Sequence, residues 1–397
     1  MRNSFFIYLF VVLSFFSRLV FAQPSHPFPQ AGKRVYFGGK LLCTQKEQNK
    51  VVTAYYDCWK KSYLLKSTKV PGDFKIAFNK KGWTVSEAMG YGMLIVVQMA
   101  GYDSQARVYF DGLNRFRKRY PSKINPAFMN WRIKDEKRAG VGDCATDGEI
   151  DIATALLMAA EQWNSPVYKK EALVLIKNIS KSLVRKDYSL RLGDWNVEKK
   201  KHEGSRLSDF ATAHFRVFYQ ATSDSRWKKV EEKCYAIIQT LQTNYASSTG
   251  LVPDFAVRTS KGVWHPAKAG FLEGKNDGYY GYNSCRVPWR IGLSAVYYND
   301  PRAKKIMTRL MTWARSIPPN RFKAGYRLGG QPLVAYSESC FSAPMAVAAM
   351  AAADQQWLDA QFKQIKASHE NYYSDSINLL SLLVLTQNYW LPEGANL

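Results

Sequence analysis

From residue 45 onward, apolar side chains recur at intervals of three and four, the period of helices that bury one face. Over residues 45–65, Val51, Ala54, Tyr55, Cys58 and Trp59 share such a face. Over residues 104–120, Val108, Phe110, Leu113 and Phe116 do the same among basic neighbours. Residues 149–163 give the clearest case, with Ile152, Ala155, Leu156, Ala159 and Trp163 at helical spacing. The pattern predicts further helices over 168–184, 207–221, 226–245, 284–298, 301–316, 342–352, 355–367 and 376–389, and one following Glu87. That is about twelve helices with few strands, an all-α chain. Two long irregular stretches, 121–146 and 246–283, interrupt it, and loops of such length in a compact domain usually carry function. No composition shift or close repeat divides the chain. A dozen helices in one domain suggest helical hairpins arranged in a ring, with loops at the helix ends forming a cleft.

The N-terminal end departs from this periodicity. Residues 1–22 read as a secretory signal peptide: Arg2 supplies the positive end, Phe5 to Phe16 the apolar stretch, and Val20-Phe21-Ala22 the cleavage site. Residues 23–44 are rich in Pro and Gly and are expected to form an extended arm, leaving 45–397 as the working domain. No later segment approaches the length of a transmembrane helix. The expectation is an exported, secreted or periplasmic monomer without stable membrane insertion.

Composition adds a surplus of charge and of aromatic rings. The formal net charge is +24, reduced to +22 once Arg2 and Arg18 leave with the signal peptide. Such a surface favours anionic neighbours, yet the Lys pairs are scattered and no nucleic-acid-binding motif occurs. Nucleic acid is therefore not an expected partner. Aromatic residues make up 14% of the chain, enough to fill a core and still supply stacking platforms for sugars. Six Cys are expected to meet an oxidising compartment. Cys43 and Cys58 could form a local pair, whereas Cys144 and Cys285 read as small packing side chains.

Three stretches carry candidate chemistry. In Ser86-Glu87-Ala88-Met89-Gly90-Tyr91-Gly92-Met93, Ser86 fits a helix N-cap and puts Glu87 in the first turn. Alone, that Glu reads as an ordinary dipole-compensating acid. In Asp143-Cys144-Ala145-Thr146-Asp147-Gly148-Glu149-Ile150-Asp151, Asp147 lies just outside the next helix and is best placed to face a ligand. The spacing is not that of a calcium loop, and no metal or cofactor is expected. The third stretch is Phe271-Leu272-Glu273-Gly274, followed by Tyr279 to Arg290. Zinc-ligand His spacing, a nucleophile elbow and a phosphate loop are all missing from the sequence. Acids with aromatics in an exported helical domain suit a glycoside hydrolase, which needs one protonated and one ionised carboxyl across a sugar bond.

The stretches 86–93 and 145–163 resemble the two signatures of glycoside hydrolase family 8, the second almost position for position, with Glu149 where the family pattern has Asp. Similarity runs from about Tyr55 to Trp390 and includes Arg191-Leu-Gly-Asp-Trp195 and Gly250-Leu-Val-Pro-Asp254. The resemblance implies an (α/α)6 barrel and an inverting, endo-acting hydrolase of β-1,4-linked polysaccharide. It places Glu87 on the general acid and Asp147 on the acid that holds the distorted sugar. In one branch the general base is an Asp, where this chain has Asn283. The sequence is similar to the other branch, of chitosanases and lichenases, which implies Glu273 as the base. Tyr91, Trp131, Trp195, Tyr282, Asn283 and Arg286 are then expected to bind a polysaccharide, chitosan or β-glucan. Two other readings stay open: a catalytically inactive carbohydrate-binding protein on the same fold, and a polysaccharide lyase acting on an acidic polymer.

Overall fold

The computed structural model describes residues 23–195 and 203–393. The signal-peptide reading of residues 1–22 lies outside the described residues. Twelve α-helices occur among the described residues: α1 Gln45–Tyr63, α2 Ser86–Gln98, α3 Ala106–Arg119, α4 Thr146–Gln162, α5 Pro166–Ser182 and α6 Thr212–Thr222, then α7 Arg226–Asn244, α8 Val287–Tyr298, α9 Pro301–Ala314, α10 Ser339–Ala351, α11 Gln355–Ile365 and α12 Tyr372–Leu385. The even-numbered helices pack in a closed ring, α2 on α4, then α6, α8, α10, α12 and back to α2. Each odd-numbered helix lies outside this ring against a sequence neighbour, with α1 closing on α12. This is the (α/α)6 barrel.

The sequence dictates which helices go inside. Helices α2, α8, α10 and α12 are apolar around most of their circumference and almost wholly buried, as helices without a polar face must be. Helices α3 and α9 keep basic faces outward and bury one stripe, such as Phe110, Leu113 and Phe116 on α3. Because each inner helix alternates with an antiparallel outer one, the inner six run the same way. Their N-termini therefore gather at one end of the barrel.

Several corrections concern helix starts. Helix α4 begins at Thr146, so Asp147 stands in its first turn and not just outside it. The first turn of α2 is capped by Val85 without a side-chain bond, so Ser86 is the first helical residue and not the N-cap. Helix α10 begins at Ser339, earlier than 342, because Pro344 sits inside it and not at its first turn. The stretch 207–221 also divides: residues 207–209 form a 3-10 turn ahead of α6.

Among the described residues, eight short strands build three small antiparallel sheets on the loops: β1 Leu64–Lys66 with β2 Phe74–Ile76; β3 Thr84–Val85, β4 Arg132–Lys134 and β5 Lys137–Arg138; and β6 Gly204–Arg206, β7 Phe255–Arg258 and β8 Trp264–Pro266. They organise what the sequence presents only as irregular stretches.

At the other end, residues 23–44 run along the C-termini of the inner helices. The Ser25 amide donates to the Gln162 carbonyl (2.9 Å), Phe28 to Ala100 (2.7 Å), Phe37 to Val296 (2.8 Å) and Gly39 to Met350 (2.8 Å). The arm thus supplies donors to carbonyls that end helices α4, α2, α8 and α10, groups with no partner inside their own helix. All six Cys are free thiols. The suggested Cys43–Cys58 pair does not form: Cys58 is exposed on α1 while Cys43 packs against the core before it.

Candidate active site

The gathered N-termini surround a cleft of about 550 Å³. Every inner helix sends a residue into it: Glu87 from α2, Asp147 from α4, Arg206 ahead of α6, Asn283 and Arg286 ahead of α8, Glu338 ahead of α10, and Tyr373 from α12. Helix N-termini carry unpaired amides and partial positive charge. Convergence of six of them favours carboxylates here and an anionic or polar ligand.

Arg286, almost fully buried, is the centre of the site. Its Nη1 donates to Glu87 Oε2 (2.7 Å), to Asp147 Oδ2 (2.9 Å) and to the Tyr91 hydroxyl (3.0 Å). Its Nη2 donates to Asn283 Oδ1 (2.9 Å). Asn283 Nδ2 in turn donates to Glu273 Oε2 (2.8 Å). Arg206 Nη2 donates to the other Glu273 oxygen (3.1 Å), and its Nη1 stands 3.8 Å from Asp147 Oδ1. One guanidinium and one amide thus stand between Glu87 and Glu273.

The carboxyls differ in environment. Burial pushes Glu87 up to about 7, with Arg286 pulling it down and Asp147 raising it further. The Tyr372 hydroxyl donates to its Oε1 at 3.1 Å. For Asp147, burial works upward but the cations Arg206 and Arg286 outweigh it and hold its pKa below the ordinary value. Two acids sharing one guanidinium have therefore been driven apart, one protonated near neutrality and one ionised, the division that acid–base chemistry requires. Glu273 is half-exposed at the rim and accepts at both oxygens. Asp277 fixes its loop by accepting from the amides of Leu272 (2.7 Å), Glu273 (3.1 Å) and Gly274 (2.8 Å).

The close approach of Glu87 and Asp147 depends on a glycine contact between α2 and α4. A Cβ on Gly148 would lie 2.6 Å from the Ser86 carbonyl carbon, and one on Gly90 would lie 2.8 Å from the Asp151 Cβ. Below them, Asp151 receives both terminal nitrogens of Arg290 at 2.5 and 2.6 Å. Glu149 is buried and accepts the Met129 amide at 2.8 Å. Neither acid faces the cleft.

Of the residues expected to bind polysaccharide, Trp131, Tyr282, Asn283 and Arg286 line the cleft. Tyr91 does not: it is fully buried beneath Arg286 and positions that guanidinium. Trp195 is also off the lining, packed beside Leu192, Phe255 and Ala267. Asp254, a second carboxylate of the same loop region, is consumed by the amides of Gly281, Asn283 and Ser284 and the Ser284 hydroxyl, at 2.7–3.0 Å. Arg206, Glu338 and Tyr372 carry no expectation from the sequence, and Tyr373 enters it only as the start of the family-like stretch Tyr373-Ser-Asp-Ser-Ile377. Arg206 lies in a strand with no local motif. Tyr372 and Tyr373 stand at an inner-helix N-terminus, the position shared by Glu87 and Asp147, and that shared position is the signal that could have found them. Among the described residues, no cluster of His, Cys, Asp and Glu forms a metal-binding group.

The arrangement finds its counterpart among known proteins. Residues 32–387 match the family model described as glycosyl hydrolases family 8. A β-glucanase of Niallia circulans is 41% identical, covering 93% of this chain and 92% of the relative. An endoglucanase of Bacillus sp. strain KSM-330 is 37% identical over 94% of this chain and 83% of its own length. The apo structure of a β-1,3-1,4-glucanase from Paenibacillus sp. X4 superposes with a TM-score of 0.89 at 39% identity, covering 93% of this chain and 100% of that one. Match, fold and the placement of the acids at the inner-helix N-termini lead to one assignment: the chain belongs to glycosyl hydrolases family 8 and is a glycoside hydrolase.

Proposed function

We propose that the protein is a secreted, inverting endo-β-glucanase that cuts β-1,4 bonds in neutral or mixed-linkage glucan. The observation that carries the mechanism is the pairing, in one cleft, of Glu87 at about 7 with a second carboxyl, Glu273, held away from it by Arg286 and Asn283. Glu87 protonates the departing glycosidic oxygen. Glu273 takes the proton of a water that attacks the anomeric carbon from the opposite face, which inverts its configuration. Asp147, kept ionised by Arg206 and Arg286, stabilises the distorted, positively charged ring between them. Asn283 cannot itself accept that proton, so its contribution is to orient Glu273 and the water.

The glucan preference is supported by the names of the relatives, which are glucanases. Glu87, Asp147 and Glu273 are each engaged by Arg286 or Arg206, whereas Glu338 on the same lining has no ion-pair partner among the described residues, so the preference rests on the relatives. The purified protein should therefore release oligosaccharides from lichenan and barley β-glucan and leave chitosan intact. Proton NMR during the first turnovers should show the new reducing end as the α-anomer. A β-anomer as the first product would overturn inversion, and chitosan as the better substrate would overturn the glucan reading.

A further inference from the structure

The large positive charge is not spent in the cleft, whose lining sets the cations Arg206 and Arg286 against the carboxyls of Glu87, Asp147, Glu273 and Glu338. Part of it sits on the lobe formed by β1–β2 and β3–β4–β5. The lobe turns its acids inward. Asp73 is fully buried and receives Arg115 Nε at 2.9 Å and Arg119. Glu136 is 3% exposed and receives Lys75 Nζ (2.8 Å), the Ser67 hydroxyl (2.7 Å) and the Thr68 amide (2.8 Å). Burial opposes ionisation of Glu136, but Lys75, Thr68 and Ser67 hold it at about 2. The turn that achieves this has Asp135 and Glu136 at φ of +48° and +49°, a conformation that side-chain-bearing residues adopt only when fixed by their surroundings.

What stays outside is cationic. Lys66, Lys69, Lys80, Lys81, Lys137 and Arg138 are all exposed, and none forms an ion pair among the described residues. Asp135 is committed to Trp83, whose Nε1 donates to it at 2.9 Å. The ammonium groups of Lys134 and Lys81 lie 4.5 and 5.1 Å from the centre of the Trp83 ring. Trp83 immediately precedes β3, whose Val85 lines the cleft, and Val85 pairs with Arg132, next to the cleft residue Trp131. The basic surface therefore begins where one end of the cleft stops.

We propose that this lobe is a docking surface for carboxylate groups on the glycan strand that runs out of the cleft, so that an acidic β-glucan is held more tightly than a neutral one. The inference rests on the glucan reading above but is read by binding as well as by turnover. The ammonium groups of Lys80, Lys81 and Lys137 meet the strand's carboxylates along the side of Trp83. A surface of one sign raises the local concentration of an oppositely charged ligand, and salt removes the gain.

The test compares the wild-type protein with a triple variant, Lys80→Glu, Lys81→Glu and Lys137→Glu, and with a control of equal charge on α5, Lys170→Glu, Lys177→Glu and Lys181→Glu. Each is run through native gels with carboxymethylated β-glucan, with the uncharged polymer or with none, and assayed for kcat/KM on both polymers. The lobe variant should lose roughly tenfold or more in kcat/KM on the carboxymethylated polymer at low salt. It should also lose its retardation in that gel, while turnover of the uncharged polymer is unchanged. The α5 control should behave like wild type, and at about 1 M salt, where screening acts over about 3 Å, all three should converge. Equal losses in the lobe variant and the α5 control would overturn the proposal, because only net charge would then matter. Retention of the carboxymethyl preference by the lobe variant would overturn it too. Failure of the wild type to turn over the uncharged polymer would instead defeat the glucan reading, with the gel still deciding the lobe.

Discussion

Glu87 and Asp147 show how neighbouring carboxyls acquire different tasks. Both stand in the first turn of an inner helix and both accept from Arg286 Nη1. Arg206 then adds a second cation beside Asp147, whereas Glu87 gets a tyrosine hydroxyl. Since burial lifts Glu87 to about 7, its proton is present below that pH and lost above it. We expect kcat/KM to fall about tenfold per unit above pH 7, the slope of a single required proton. Glu87→Gln should fold and bind substrate yet lose roughly 10²–10⁴-fold in kcat, the usual worth of general acid catalysis. Near-normal turnover, or an unchanged alkaline limb, would remove Glu87 from the role. Taken alone, its local stretch reads as an ordinary helix acid, and only the family resemblance marks it as the general acid, because nothing local reveals that Arg286, 199 positions away, shares it with Asp147.

At the scale of elements, the ring of N-termini is what turns helix patterning into a site. Apolar periodicity located all twelve helices, because each buries a stripe or a whole surface and the period survives in the sequence. It misplaced several starts, where local chemistry competes: Pro344 inside α10, and a 3-10 turn ahead of α6. The strands escaped because sheets of two or three short strands hold no apolar alternation to read. The α2–α4 contact gives a direct test. Gly148→Ala forces a methyl to within 2.6 Å of backbone at Ser86, and overpacking of this kind costs about 1–3 kcal/mol. Gly274→Ala, with no atom within 4 Å of the added Cβ, should cost far less. Urea unfolding of the two variants checks the difference. Equal stability would mean that α2 and α4 have room to separate.

For the whole molecule, the interior holds an unusual load of acid. Burial lifts Glu149 from 4.5 and Asp209 from 3.8, each to about 8. A carboxyl raised on folding leaves stability intact below its unfolded value and removes it as pH climbs through the folded value. Asp151 is opposite: burial opposes its charge, yet Arg290 holds it down at about 2, so its contribution is present above about pH 4 and lost toward pH 2. Stability should therefore peak on the acid side of neutrality, near pH 5, and decline by pH 8.5. Thermal unfolding across that range measures it, and a stability that rises from pH 5 to 8.5 would contradict these assignments. The barrel and its two family stretches were legible because helix period and motif are local. Arg206, the inward turn of Asp73 and Glu136, and the burial of Tyr91 were not, since each depends on segments that meet only in the folded ring.

The claim on which the mechanism turns is that Glu273, and not the residue at 283, activates the water. The direct measurement is azide rescue of Glu273→Ala on a β-glucan oligosaccharide, with the products identified by NMR. The variant should be inactive while retaining its fold. Added azide, a nucleophile that needs no base, should restore cleavage from the vacated side and yield the α-glycosyl azide. Wild-type turnover by Glu273→Ala, or a β-glycosyl azide as the rescued product, would contradict the account.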